Sequence, residues 1–467
     1  MVERKKHDIA VIGAGPGGYV AAIRAAQAGL SVALIEKELL GGCCLNVGCI
    51  PTKTLLANAA VLHQVKRAKE FGITTGPISF HYDQMKKRKD GVISKIRTSL
   101  EGLIKANKVS IYKGFAKFES PKVLKVTGTD NLLIEADKII IATGSVPQEV
   151  KTFPCDHDRI LNSTSILELT ETPESLAIIG GGYIGCEFAS LFSELGVEVT
   201  ILEALPTILT AQGTQIAQFM TKSFSSKGIN IRTEVKVKSI ENKKDHVHIT
   251  FEDGTSMDAD LALVSVGRKV YTEGLELQKG GLKVNERGFL ETNEKMETEV
   301  RGIYAIGDVT GKWMLAHVAS HQAIVAADNA AGKVAKMHYE AVPAVVFTSP
   351  EIGTVGRTLE QAKKEGFDAI AGSFPFQALG KAQASEETEG FAQIVSDKKT
   401  GQILGAVVIG HEASNLIAEM ALAIQNELTL DSVIETIHAH PTVAESWHEA
   451  ALITNETPIH FPPKVKR

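Results

Sequence analysis

Long apolar runs, a dominant charge and a disulfide-type cysteine set are all missing from this sequence. No stretch reaches the ~18 consecutive apolar residues of a membrane-crossing helix, so no membrane partner is expected. Lysine and arginine total 50 against 55 acidic residues, a formal charge of −5 over 467 residues. That balance is too mild for a nucleic-acid binder driven by bulk charge. Five cysteines in so long a chain make a poor disulfide framework, and a reducing compartment is expected. Met1 to Lys6 is mostly charged and a short apolar strand is expected from Ile9, which leaves no place for a leader peptide. A cytoplasmic protein is therefore expected: a bacterial cytosol fits, and so does a processed organellar form. The length suggests about three domains.

What the sequence does contain is a repeat. Residues 9–36, IAVIGAGPGGYVAAIRAAQAGLSVALIE, align with residues 176–203, LAIIGGGYIGCEFASLFSELGVEVTILE. Gly13, Gly15, Gly18 and Glu36 fall on Gly180, Gly182, Gly185 and Glu203. Each copy reads as a short strand, a glycine turn, an amphipathic helix and a second strand ending in an acid. This is a βαβ unit carrying G-x-G-x-x-G. The first glycine permits the tight turn, and the second lets the backbone approach a pyrophosphate. The third allows close helix–strand packing, the helix N-terminus attracts the phosphates, and the acid accepts from ribose hydroxyls. One such motif is weak; two with the same strand context predict two dinucleotide sites in an α/β fold.

Two other stretches read as apolar strand ends: Lys138 to Gly144, KIIIATG, which contains Thr143, and Gly302 to Asp308, GIYAIGD. A carboxylate at a strand end can bind a sugar or ribityl hydroxyl. From about Val342 the pattern changes to strands (345–347, 391–395, 404–409) mixed with helices, notably Glu412 to Asn426, and no nucleotide signature follows. This part reads as an α+β domain with a different task. The segment Phe461 to Lys464 is expected to be extended.

The run Gly41 to Lys53, GGCCLNVGCIPTK, carries Cys43, Cys44 and Cys49 beside the first glycine unit. A disulfide closing so short a loop would remove only about 2 kcal/mol of denatured-state entropy, so it is poor stapling and plausible redox hardware. Ile50 to His63 reads as helical, which puts Cys49 near a helix N-terminus where a thiolate is stabilised. Lys53 adds positive charge on the same face. Cys43 adjoins Cys44, and the residues alone do not decide which of the two partners Cys49. Cys155 and Cys186 read as packing residues.

Dithiol chemistry needs a base near neutral pH, because the thiolate is the nucleophile. Among 14 histidines the context His438-Ala439-His440-Pro441-Thr442-Val443-Ala444-Glu445 differs from the rest. Proline holds His440 extended, and Glu445 can accept from one ring nitrogen and make the other more basic. Spacing alone leaves His440 a surface residue as readily as a base.

With these pieces assembled, the chain resembles the pyridine nucleotide–disulfide oxidoreductases, and among them the dihydrolipoamide dehydrogenases, over about residues 7–462. GGCCLNVGCIPTK, GGGYIGCEFAS, GIYAIGDVTG with MLAH after it, and HAHPTVAE carry the likeness. It implies two Rossmann-like dinucleotide-binding domains, for FAD and NAD, plus a C-terminal α+β dimerisation domain. The expected boundaries are 1–148 (FAD, first segment), 149–271 (NAD), 272–341 (FAD and central segment) and 342–467 (dimerisation). The resemblance makes Cys44 the interchange thiol and Cys49 the flavin-side thiol of a redox disulfide. Lys53 is then expected by the flavin ring, paired with Glu187. His440 and Glu445 become the base and its partner, donated across a homodimer. FAD is expected on Gly13, Gly15, Gly18, Glu36, Lys53, Thr143, Gly144, Asp308 and Ala316, with Asp308 on the ribityl chain. NAD is expected on Gly180, Gly182, Gly185, Glu203 and Gly267; no metal is expected. The implied partners are lipoyl domains of 2-oxo acid dehydrogenase complexes or the lipoylated carrier of glycine cleavage.

Glu203 bears on cofactor choice. A carboxylate repels a 2′-phosphate, and Ala204 to Thr207 offer no arginine to hold one, so NAD is expected over NADP. That disfavours a glutathione reductase-like enzyme. A mercuric reductase-like enzyme would carry a late cysteine pair, and no cysteine follows Cys186. A non-catalytic flavoprotein scaffold would have little need of Cys44, Cys49, His440 and Glu445 together. Two positions depart from the family pattern: Cys43 stands where Thr is usual, and Gln322-Ala323 where Glu-Gly is commoner.

Overall fold

The computed structural model describes residues 3–463. The chain divides into two compact units, Met1–Ala177 with Lys238–His338, and Ile178–Val237 with Tyr339–Arg467.

The first unit opens with β1 (Glu3–Ile12), α1 (Pro16–Gln27), β2 (Val32–Glu36), α2 (Gly42–Val47), α3 (Cys49–Lys66) and α4 (Tyr82–Ala106). β3 (Ser110–Lys113), β4 (Phe115–Ser120), β5 (Val123–Thr127), β6 (Leu132–Ile141) and β7 (Ser145–Pro147) follow. β1 starts exposed and charged and ends in four buried residues, Ile9 to Ile12. A run buried on both faces suits the centre of a parallel sheet. It lies between β2 and β6, parallel to both, with Ile9 opposite Val32 and Lys138. The sheet order is β3-β2-β1-β6-β5-β4, and the strand Ile303–Ala305 pairs in parallel with β6. The helix Ala316–Ala330 packs closely on α1: a Cβ on Gly17 would lie 3.3 Å from the Ala319 carbonyl oxygen. Arg24 clamps the Asp328 carboxylate through Nε and Nη2, at 2.8 and 2.9 Å. Phe118, Leu124, Ile134 and Leu290 fill the core beside the sheet.

Two expectations change here. The strand before Asp308 stops at Ala305, and Asp308 lies in a 3-10 turn, Gly307–Thr310. Gly307 (φ +73°) turns the chain, and its N–H donates to Oε1 of the fully buried Gln322 at 2.7 Å. The second change concerns span length. The stretch Gly42–Lys66 is long and apolar enough to cross a membrane by length and composition alone. It is two helices, broken at Gly48 (φ −144°, ψ −108°), and it buries Leu45, Leu55, Ala59 and Leu62 inside the protein. A core helix of a soluble protein passes the same test.

In the second unit, the helix Tyr183–Glu194 follows the second glycine turn, and the strand Glu198–Leu202 pairs in parallel with Asn230–Arg232. The later part is a five-stranded antiparallel sheet, ordered Pro343–Val346, Glu351–Gly356, Ile403–Gly410, Phe391–Asp397, Ala369–Pro375. The helices Ala413–Gln425 and Glu445–Thr454 cover it. Trp447 is fully buried between them, and its Nε1–H donates to the Leu416 carbonyl at 3.1 Å. The expected helix 412–426 is found with Glu412 and Asn426 as its caps. Phe461 to Pro463 have irregular backbone, with the Phe461 ring edge-on to Phe374; Lys464 lies outside the described residues.

The glycine turn of the first unit tolerates no added carbon at its third glycine. A Cβ on Gly18 would sit 1.8 Å from the Gly13 carbonyl oxygen, a backbone atom. Gly18→Ala should destabilise the unit by roughly 1–3 kcal/mol or more, read as a lower denaturation midpoint. An unchanged midpoint would contradict the packing described.

Candidate functional site

The two glycine turns are closed in the same way. In the first, Oε2 of Glu36 accepts from the Ala14 N–H at 2.7 Å and Oε1 from the Glu38 N–H at 2.8 Å. In the second, Glu203 does the same for Gly181 at 2.7 Å and Leu205 at 2.8 Å. Each carboxylate thus ties the end of the second strand to the turn after the first, and keeps lone pairs for ribose hydroxyls. Gly13 (φ +96°) and Gly180 (φ +106°) adopt the left-handed backbone the turn requires.

These residues fit a dinucleotide pyrophosphate. A Cβ on Gly13 would strike the Ala142 carbonyl oxygen at 2.5 Å, whereas one on Gly15 would meet nothing nearer than 3.9 Å. The turn therefore packs against β6 at one glycine and stays open at the next. Gly182 is open in the same sense, and Gly185 is buried. No side chain caps α1 or Tyr183–Glu194, which suits an anion at either helix start.

The redox candidates gather at the α2–α3 break. Cys49 is the first residue of α3, and Cys44 lies on α2. The Cys44 thiol is hydrogen-bonded with Cys49; that bond, with burial, pushes its pKa well up, and the charge of Lys53 opposes the rise. Cys43 belongs to a different set. Arg268 Nη2 donates to its Sγ at 3.3 Å, and burial raises the Cys43 pKa against the pull of that guanidinium. Among the described residues no cysteine is joined in a disulfide. Cys186 is fully buried, as expected, while Cys155 is only partly covered.

The remaining FAD candidates lie in turns and at a helix start of the same unit. Thr143 Oγ1 donates to the Tyr271 carbonyl at 2.6 Å, and the Tyr271 N–H to Gly144 (φ +69°) at 2.9 Å. Asp308 accepts from the Ser145 hydroxyl, and Ala316 opens its helix. Gly267 (φ +122°) lies in the first unit; Gly180, Gly182, Gly185 and Glu203 lie in the second. Glu187, also in the second unit, is buried and accepts from the Phe347 N–H at 3.0 Å. Two residues were missed from sequence: Arg268, nearly buried, and Ser145, whose oxygens accept from its Nε at 2.7 Å and Nη2 at 2.8 Å. No local motif flags either one. Among the described residues no His, Cys, Asp and Glu cluster of three or more is arranged to hold a metal.

His440 and Glu445 are together. The His440 Nδ1 bonds Oε1 of Glu445 at 2.9 Å, while Oε2 accepts from the Thr442 N–H at 2.9 Å. Burial works to raise the Glu445 pKa, but the Thr442 amide and His440 hold it below the usual carboxylate value. The carboxylate sets the tautomer: Nδ1 carries the proton and Nε2 is left as the acceptor. The His440 side chain is 77% exposed.

Close by, His438 Nε2 bonds Glu419 at 2.9 Å, and that bond raises its pKa despite burial. A raised folded-state pKa gives stability that is fully present below the unfolded value of about 6.5 and is lost as pH rises through the folded value. Wild type should therefore exceed Glu419→Gln in melting temperature most clearly near pH ~5.5, with the gap narrowing toward pH ~8. A gap that widens with pH would contradict the assignment.

Comparison with known proteins places these features. Residues 7–323 match the pyridine nucleotide-disulphide oxidoreductase family, and residues 342–451 match its dimerisation domain, which supports a homodimer. The dihydrolipoyl dehydrogenase of Chlamydia pneumoniae is 49% identical over 98% of this chain and 99% of its own length. That of Geobacillus stearothermophilus is 44% identical over 97% of each. Among solved structures, LpdA from Mycobacterium tuberculosis superposes with a TM-score of 0.90 at 28% identity, covering 96% of this chain and 99% of that one. The HOCl-induced flavoprotein disulfide reductase RclA from Escherichia coli gives 0.86 at 30%, covering 95% and 99%. The chain belongs to the pyridine nucleotide–disulphide oxidoreductase family and is an oxidoreductase that uses FAD and NAD(H).

Proposed function

We propose that this enzyme oxidises protein-bound dihydrolipoyl groups to the cyclic disulfide with NAD⁺ as acceptor. The reading is carried by the hydrogen-bonded Cys44–Cys49 pair at the α2–α3 break, beside a closed glycine turn. Near full-length likeness to dihydrolipoyl dehydrogenases at 41–50% identity supports it. In this reading residues 1–148 and 272–341 hold FAD, 149–271 hold NAD and 342–467 pair with a second copy.

The chain's own residues would work as follows. His440, its Nδ1 proton held by Glu445, takes a proton at Nε2 from one substrate thiol. The thiolate attacks Sγ of Cys44 in the oxidised Cys44–Cys49 pair; the Cys44–Cys49 bond breaks and Cys49 leaves as thiolate. The second substrate sulfur then attacks the substrate sulfur of the mixed disulfide, its proton passing to the departing Cys44 sulfur. Lipoyl disulfide leaves, and the enzyme holds a Cys44 thiol, a Cys49 thiolate and a protonated His440. Each cycle moves two electrons from the substrate dithiol to the enzyme. FAD, when bound, supplies the relay of that electron pair to NAD⁺.

Gly13, Gly15, Gly18, Glu36, Lys53, Thr143, Gly144, Asp308 and Ala316 would hold FAD. Gly180, Gly182, Gly185, Glu203 and Gly267 would hold NAD, with the Glu203 charge excluding a 2′-phosphate. Lys53 would pair with Glu187. The exposure of the His440 ring in the single chain supports its delivery to the cysteines of a second copy. The lipoyl group would come from a 2-oxo acid dehydrogenase complex or a glycine-cleavage carrier. Bacterial relatives and the small number of cysteines support a cytosolic setting.

Cys44→Ser should abolish dihydrolipoamide-dependent NADH formation while FAD stays bound; normal turnover would sink the reading. His440→Gln should lower kcat by about 10²–10⁴ with FAD retained. Equal kcat in the variant and wild type would remove His440 from the reaction.

A further inference from the structure

Four polar groups in the first unit form one connected chain, of which only Asp308 has a place in the proposed function. The Ser145 hydroxyl accepts from Arg268 Nε at 2.7 Å and donates to Oδ2 of Asp308. Arg268 Nε is itself 3.9 Å from that carboxylate oxygen. On its other side, Arg268 Nη2 donates to the Ser145 carbonyl at 2.8 Å and to Cys43 Sγ at 3.3 Å. The guanidinium side chain is only 11% exposed. It projects from the strand Arg268–Val270, which pairs antiparallel with β7 so that Val270 faces Ser145 and Arg268 faces Pro147. The fork therefore ties three separate pieces of chain: that two-stranded ribbon, the turn bearing Asp308, and the first turn of α2.

The position of Cys43 gives this its consequence. Cys43 immediately precedes Cys44 on a helix of one and a half turns, and Gly48 breaks the chain before Cys49. Its backbone and sulfur also lie against Gly48: a Cβ there would come within 3.0 Å of the Cys43 carbonyl oxygen and 3.4 Å of Sγ. So short a helix is not held by its own hydrogen bonds, and a planar, fixed-geometry donor suits the task of holding it.

We infer that Arg268 is a positioning residue, which through Cys43 holds the Cys44 sulfur in register with Cys49, and through Ser145 orients the Asp308 carboxylate for the ribityl chain. This rests on the role proposed above for the Cys44–Cys49 pair. Arg268 acts on that pair through Cys43 and on the carboxylate through Ser145, and it does not transfer protons or electrons.

The test uses full-length dimer purified with FAD, comparing wild type, Arg268→Met, Arg268→Lys, Ser145→Ala and Cys43→Ala. Two quantities are read: FAD affinity by fluorescence titration of the apoprotein, and the long-wavelength absorbance of a Cys49 thiolate against oxidised flavin after two-electron reduction. Arg268→Met should weaken FAD binding about ten-fold or more, the scale of a lost charge-assisted hydrogen bond. Saturated with FAD, it should also lose most of the thiolate absorbance. Arg268→Lys should recover FAD affinity but not the full absorbance, since one ammonium cannot reproduce the fork. Ser145→Ala should weaken FAD binding, and Cys43→Ala should lower the absorbance with FAD affinity kept. If Arg268→Met fails to fold, the other variants decide the matter. Wild-type affinity and absorbance in Ser145→Ala and Cys43→Ala would overturn the inference and leave the proposed reaction standing. A reduced wild-type enzyme without the thiolate absorbance would instead overturn the role given to Cys49, and the inference with it.

Discussion

A carboxylate that accepts two backbone amides closes each glycine turn, and the rest of the architecture depends on that closure. Glu36 and Glu203 sit at the ends of second strands and grip the residue after the first glycine, Ala14 and Gly181. With the turn fixed, the following helix starts where its amide ends meet the pyrophosphate. In the first unit the third glycine, Gly18, then brings that helix so close to the turn that no side chain fits between. Because both oxygens of each carboxylate are already engaged by backbone, the acid is fixed before any nucleotide arrives. Binding need not include the cost of ordering it. In the proposed reading the charge of Glu203 also repels a 2′-phosphate, so that one residue would serve fold, binding and choice of nucleotide.

The cysteine segment solves a different problem. A redox pair must lie close enough to form a bond, yet its sulfurs must meet different partners. Placing Cys44 on the short α2 and Cys49 at the start of the longer α3, with a break at Gly48, gives each its own direction. The reduced Cys44 thiol is held in its protonated form by its bond to Cys49 and by burial. In the proposed reaction the proton to be removed is the substrate's, and the base is His440, oriented by Glu445, whose carboxylate Thr442 fixes from the other side. The proposed delivery of that base from a second copy is in keeping with the match of residues 342–451 to a dimerisation domain.

Much of this was legible in the sequence because it is local. The repeat, the G-x-G-x-x-G turns and their terminal acids depend on spacings within one βαβ unit. The α3 helix after Cys49 and the His440–Glu445 spacing are likewise readable from neighbouring residues. What was not legible depends on contacts far apart in the chain. Arg268 and Ser145 are 123 positions apart, each on a three-residue strand with no periodicity to detect. The 3-10 turn carrying Asp308 is set by Gly307 donating to Gln322 fifteen positions later. A sequence reading naturally extended the apolar run into a strand instead. Gln322 itself was noticed only as a departure from the family pattern; its buried amide oxygen does work that a carboxylate there could do only by burying a charge. Cys43 was the ambiguous case. Adjacency to Cys44 could not tell a rival disulfide partner from an anchored thiol, and the distinction came from a guanidinium 225 positions away.

Passage of electrons from a dihydrolipoyl dithiol through Cys44–Cys49 to NAD⁺, with Glu203 choosing the nucleotide, is tested most directly by a paired assay on the purified FAD-loaded enzyme. One arm follows dihydrolipoamide oxidation with NAD⁺ and with NADP⁺; the other follows glutathione disulfide reduction with NADH and with NADPH. The account predicts rapid NADH formation from dihydrolipoamide and little activity in the other three combinations. Glutathione reduction driven by NADPH would preserve the fold and the cysteine chemistry but contradict both the substrate and the role of Glu203.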